Sequence, residues 1–284
     1  MKTKYLAFAV AAIMLASCSN KEDFAPQDEL KDTPITIASA GEVELANRAI
    51  TENGVLVGSE EAPVSMSVWI TGSSERYSAD NMLWSHDGDS WSCNSIALYD
   101  AQGPQQICAL YPYYTENGSA EGMTITADGI TDYLVAESET LTSSTVELTL
   151  THALSKLVLN PTFGDELEGE TIANVEVQNM YESGTLNITD NTWSACEGST
   201  ALTMTDNEVV VIPMENCQSF PIKITMDSGR VFKSTISLAG VDNKLEPGTQ
   251  YNIALQIGND RVIVDDITAA SCGTPVDGGG LETE

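Results

Sequence analysis

Val146-Glu147-Leu148-Thr149-Leu150-Thr151-His152-Ala153-Leu154-Ser155-Lys156-Leu157-Val158-Leu159 decides the fold. Val146, Leu148 and Leu150 alternate with Glu147, Thr149 and Thr151, the period of a strand with one face turned to a core. Further on, the apolar residues move to odd numbers, at Leu157 and Leu159. A flat strand cannot change phase in this way, because a slip of one residue sends every side chain to the opposite face. The change marks a bulge or a passage between strands near Ser155-Lys156. A passage between two domains around residue 150 would divide the chain that follows the leader into comparable halves.

The same alternation runs outward in both directions. Tyr251, Ile253, Leu255 and Ile257 interleave with Asn252, Ala254 and Gln256. Ile222, Ile224 and Met226 lead into Asp227-Ser228-Gly229, a hairpin turn, and Phe232, Ile236 and Leu238 return from it. Gly54, Gly88, Gly118, Gly129 and Gly184 sit in similar turn contexts, and helix signals are nearly absent. The fold class is all-β, with the short, evenly punctuated strands of a sandwich. Nearer the start, Ile35, Ile37, Val43 and Leu45 keep one parity around Gly41 and read as one or two edge strands sharing a buried face. Arg48-Ala49 follows at once.

The first eighteen residues have their own logic. Lys2 and Lys4 precede an apolar or small-residue run from Tyr5 to Leu15, and Leu15-Ala16-Ser17-Cys18 closes it. Such a run is too short to span about 30 Å of hydrocarbon and reads as a signal peptide, residues 1–17. The pattern resembles a bacterial lipobox, in which the Cys18 thiol takes a diacylglyceryl group before cleavage. Lys21-Glu22-Asp23 resembles the surface-export signal of Bacteroidetes lipoproteins, and residues 18–32 form a polar tether. The whole chain carries 12 Lys+Arg against 42 Asp+Glu. A surface this acidic argues against nucleic acid and against anionic membrane as partners, leaving the lipid as the membrane attachment.

Catalytic groups are hard to assemble. His86 lies in Trp84-Ser85-His86-Asp87-Gly88-Asp89, and His152 shares strand parity with Leu150 and Leu154, as a buried structural histidine would. Asp87-Gly88-Asp89 lacks the remaining spacing of a calcium loop and reads as a hairpin turn. Trp69, Trp84, Trp91 and Trp193 read as core filler, with stacking on sugars as the functional alternative. Cys93, Cys108, Cys196, Cys217 and Cys272 show no CxxC or zinc spacing, so they read as buried thiols, with Cys196–Cys217 the first pairing to consider. No catalytic residue, metal site or cofactor is expected. Between Lys31 and Lys156 the only basic residues are Arg48 and Arg76, so a protease that cuts after basic residues has two places to act there.

Several segments together resemble the fimbrillin family of Bacteroidetes, subunits of type V pili. They are the lipobox ending in Cys18, Asn47-Arg48-Ala49, Ala109-Leu110-Tyr111-Pro112-Tyr113-Tyr114 and Asp132-Tyr133-Leu134-Val135-Ala136. Thr151-His152-Ala153-Leu154-Ser155-Lys156-Leu157 and Leu245-Glu246-Pro247-Gly248-Thr249-Gln250-Tyr251 complete the set. The resemblance implies two transthyretin-like β-sandwich domains in tandem, here 33–150 and 151–271, ahead of a Gly-rich acidic tail, 272–284. It implies delivery to the outer membrane surface as a lipoprotein, cutting by an Arg-specific protease at Arg48-Ala49, and entry into a fimbria. The cut would take away an edge strand carrying Ile35, Ile37, Val43 and Leu45, and a strand from another fimbrial subunit would fill the slot. Val262, Val264 and Ile267 are this chain's candidate donor teeth, although Asp265-Asp266 interrupts them. The competing expectation is an uncut surface lipoprotein that binds glycan through Trp and Tyr.

Overall fold

The computed structural model describes residues 32–42, 51–52, 55–59, 61–115, 118–167 and 169–272. Cys18, Val43, Leu45, Arg48, Ala49 and the tail beyond Cys272 lie outside the described residues. Among the described residues the regular structure is strand, interrupted by 3-10 turns at Glu75–Tyr77, Asp165–Leu167 and Ala239–Val241. The chain is all-β, as the alternation requires.

The largest sheet has nine strands, in the spatial order Thr51–Glu52, Val55–Leu56, Thr36–Glu42, Thr145–His152, Leu134–Thr140, Gln106–Tyr111, Val64–Thr71, Ala79–His86 and Trp91–Cys93. It curls so that Thr36–Glu42 approaches Trp91–Cys93 from the other end of the order. Ile35, Ile37, Val64, Met66, Trp84, Leu134, Val146, Leu148 and Leu150 share the enclosed core. Two short strands, Thr33–Pro34 and Leu98–Tyr99, pair beside it.

Two four-stranded sheets follow. One runs Glu208–Val211, Ser155–Phe163, Thr249–Ile257 and Val262–Ser271; the other runs Thr200–Thr203, Ile172–Met180, Ser219–Met226 and Val231–Ser237. Their facing side chains, among them Leu157, Val177, Phe220, Ile222, Tyr251 and Ile253, form a second core. In the 227–230 turn, Gly229 donates its N–H to the Met226 carbonyl at 2.8 Å and adopts φ +83°, which glycine takes without steric cost.

The phase change of the opening stretch is a passage between sheets. Thr145–His152 ends in the nine-stranded sheet, Ala153-Leu154 turns, and Ser155–Phe163 begins the next. The two sides of that passage are interlocked. A three-stranded sheet joins Met123–Thr126, from before it, to Ser183–Asn187 and Thr192–Glu197, from after it. Cys108, Leu110, Met123, Ile125, Leu186 and Ile188 pack together there.

The early strand carries a local irregularity: Ile37 pairs with Val146, but Ser39, not Ala38, pairs with Glu147, and Ala40 pairs with Leu148. This register shift is a β-bulge, which moves the buried face from odd to even numbers. Ala40, fully buried, is therefore the next inward-facing residue after Ile37.

Candidate functional site

Thr36–Glu42 has only two β-branched residues, Thr36 and Ile37, and is held as a strand by its pairing, which makes it a candidate for exchange. It runs parallel to Thr145–His152, paired from Thr36↔Thr145 to Glu42↔Leu150. On its other side the ladder is, among the described residues, a single pair, Gly41↔Val55. Ile35 and Ile37 are each 4% exposed and sit in the core with Val146, Leu148 and Leu150. Removing the segment would leave an apolar slot, flanked by the unpaired N–H and C=O groups of Thr145–His152.

Backbone and side-chain hydrogen bonds hold the start of the segment. Thr36 donates its N–H to the Ser144 carbonyl and Ile35 donates to the Ala97 carbonyl, both at 2.8 Å. The Asp32 carboxylate accepts from the Arg76 guanidinium and, at 3.2 Å, from the Tyr77 hydroxyl. Of the two basic residues noted as protease sites, Arg76 thus forms an ion pair from a 3-10 turn.

Val262, Val264 and Ile267 are brought together, on one face of Val262–Ser271, and pack on the second core. That strand is the edge of its own sheet, antiparallel to Thr249–Ile257. A register shift between Ala254 and Leu255 leaves Asp265 without an opposite residue, and so Asp265-Asp266 does not break the strand. Asp266 Oδ1 accepts from the Ile267 N–H at 2.8 Å.

The remaining chemistry-bearing residues do structural work. His152 Nδ1 lies 2.8 Å from Asp132 Oδ2, and the His152 carbonyl accepts from Asn191 Nδ2 at 3.2 Å. His86 is buried edge-on to Trp91, and its Nδ1 accepts from the Gly88 N–H at 3.1 Å. Asp87 Oδ1 accepts from the N–H groups of Asp89 and Ser90, and these bonds hold its carboxyl below the usual range. This is the geometry of a turn.

Three of the four tryptophans fill the core: Trp69, Trp84 and Trp91 are buried, while Trp193 spans a joint, its indole N–H donating to the Ala153 carbonyl at 2.8 Å. Cys93, Cys108, Cys196 and Cys217 are free thiols. Cys196 and Cys217 pack in different clusters, so the bridge between them is not formed.

Sequence reasoning missed Ala40, because alanine carries no apolar periodicity and the bulge shifted the face. It also missed Trp193 and Asn191 as clamps on residues 152–153. Their partners are backbone carbonyls, which leave no mark in a side-chain pattern.

Several solved structures share this fold. A candidate cell adhesion protein of Bacteroides uniformis superposes with a TM-score of 0.64 at 15% identity, covering 88% of this chain and 100% of its own. A second, from Bacteroides ovatus, gives 0.63 at 17% identity over 84% of this chain and 98% of its own. The C-terminally truncated tip fimbrial protein Mfa3 of Porphyromonas gingivalis gives 0.50 at 11% identity, over 84% of this chain and 100% of its own. No curated protein matches the sequence. The fimbrillin-like family model matches residues 48–271, from Arg48 to the end of the last strand, and leaves Thr36–Glu42 upstream of its start. The chain belongs to the fimbrillin-like family.

Proposed function

We propose that this protein is a subunit or adhesin of a cell-surface fimbria. It travels as a lipoprotein anchored through Cys18 and becomes competent for assembly when an Arg-specific protease cuts at Arg48-Ala49. The two halves, 33–150 and 151–271, act as tandem transthyretin-like sandwiches. Their role is mechanical and adhesive, without catalysis.

One observation carries the reading: the strand Thr36–Glu42 lies upstream of both Arg48 and the family match, yet Ile35, Ile37 and Ala40 are buried in the core. A cut at Arg48 severs it from the rest of the chain while leaving it seated. When it leaves, the edge of Thr145–His152 becomes a template for strand addition. The two isoleucines alone represent about 3–6 kcal/mol of apolar burial, enough to favour refilling the slot over leaving it wet.

The N-terminal residue of the protein recovered from cells is the first test. Ala49 is expected on assembled material and Cys18 on the precursor. Chain cut at Arg48 and mixed with the other fimbrial subunits of the same cells should then form SDS-resistant complexes. First cutting at Arg76, or clean cutting at Arg48 with no complex in that mixture, would refute the assignment.

A further inference from the structure

The slot that Thr36–Glu42 occupies has an uneven floor, and the residues that fill it show what it accepts. Ile35, Ile37 and Ala40 point inward, spaced two and then three apart by the bulge opposite Val146-Glu147. Ile35 and Ile37 fill deep positions. Ala40, opposite Leu148, is 0% exposed, so the structure closes around a single methyl group. Close-packed interiors do not absorb added methylene groups without strain.

The chain's own C-terminal strand has the same spacing. Val262, Val264 and Ile267 face one core, again two and three apart, with a bulge between the second and third. Superposed on the slot, Val262 takes the place of Ile35 and Val264 that of Ile37. Ile267 then falls where the slot holds Ala40, a branched four-carbon side chain against a site shaped for one carbon. Sliding the strand so that Ile267 meets the Ile35 position puts Ala269 at the Ile37 position, leaving a cavity. Neither register fits.

We propose that the groove left by Thr36–Glu42 accepts a parallel strand with large branched side chains two residues apart and a small residue three after the second, and thereby refuses this chain's own strand Val262–Ser271. The occupant is a strand of a different subunit, with Ala, Gly or Ser at the third position. The protein is then an acceptor for a foreign subunit and does not polymerise with itself through this strand. The inference rests on the strand-exchange reading above and adds its selectivity.

The test uses chain cut at Arg48 and freed of the upstream segment in dilute denaturant, with four labelled synthetic peptides read by fluorescence polarisation. They are Asp32–Glu42, the same with Ala40→Ile, Val262–Ser271, and the same with Ile267→Ala. Asp32–Glu42 should bind, and Ala40→Ile should weaken it at least about tenfold, which corresponds to ~1.4 kcal/mol. Ile267→Ala should strengthen Val262–Ser271 by a similar factor. If Ala40→Ile binds within about twofold of its parent, or Ile267→Ala brings no gain, the small-residue rule is wrong and strand exchange stands. If none of the four binds, Asp32–Glu42 included, strand exchange itself is wrong.

Discussion

Ile37→Ala should loosen the upstream segment by an amount the structure sets. Ile37 is 4% exposed, opposite Val146 and in one cluster with Ile35 and Leu148. Truncation removes the equivalent of three methylene groups, about 2.4 kcal/mol of transfer free energy at ~0.8 each. The cavity left behind raises the cost into the range of about 2–5 kcal/mol, with ~3 as a working value. In the uncut chain that should lower the melting temperature by roughly 6–12 °C, at about 2–4 °C per kcal/mol for a molecule of this size. In chain cut at Arg48, where only non-covalent contacts retain the segment, the same loss should speed its departure by about a hundredfold. Release can be followed by native mass spectrometry after a short protease pulse. A variant that keeps its segment as long as the wild type would refute the claim that Thr36–Glu42 is held by its buried teeth. A melting shift below about 1 °C would refute it from the other side.

Trp193→Phe removes the indole donor from the Ala153 carbonyl and should cost about 1–3 kcal/mol, seen as a lower melting temperature with strand content unchanged by circular dichroism. Gly229 adopts φ +83° with open space around its Cα, so Gly229→Ala should cost only the backbone strain, about 1 kcal/mol in a denaturant titration. Burial pushes the Cys108 thiol from 9.0 up to about 12, so a thiol reagent at pH 8 should reach Cys108 only after unfolding. Because the folded pKa is raised, the unfolded chain loses the proton first, and this contribution to stability should fade as pH rises past about 9. Burial acts in the same direction on Tyr251, whose ordinary value is 10.0, so its share of the loss should appear in melting curves only above about pH 10.

The sheet class was legible because a half-buried strand writes its geometry into alternate residues, as at Val146, Leu148 and Leu150 or at Ile222, Ile224 and Met226. The passage at Ala153-Leu154 was legible for the same reason, as a change of phase. Pairing between distant segments was not. Thr36–Glu42 lies beside Thr145–His152 at a separation of more than a hundred residues, and nothing in either segment names the other. Met123–Thr126 likewise joins Ser183–Asn187 across the passage, where a reading based on comparable halves expects a boundary. The candidate site was half legible. Ile35 and Ile37 were found by parity, whereas Ala40 was hidden by a bulge whose cause lies in the partner strand's register.

Each side of the passage opens with a strand that runs parallel to a late one, Thr36–Glu42 beside Thr145–His152 and Ser155–Phe163 beside Thr249–Ile257. Their circumstances differ in a way that decides which can be exchanged. Ser155–Phe163 is central: Glu208–Val211 pairs along its other edge, and Ala153 just before it is held by its own N–H to the Tyr133 carbonyl and by the Trp193 indole. Removing it would open two ladders and pull on the passage itself. Among the described residues Thr36–Glu42 has one full ladder and one further pair, and Arg48 stands between it and everything downstream. Its departure orphans the edge of Thr145–His152 and takes the partner of Val55, at about 1–3 kcal/mol for each backbone group left buried and unpaired. That cost is large enough to demand a replacement strand and confined enough for the remaining sheet to wait for one. Of the two opening strands, Thr36–Glu42 is therefore the one whose pairing would allow the exchange that the proposed assembly requires.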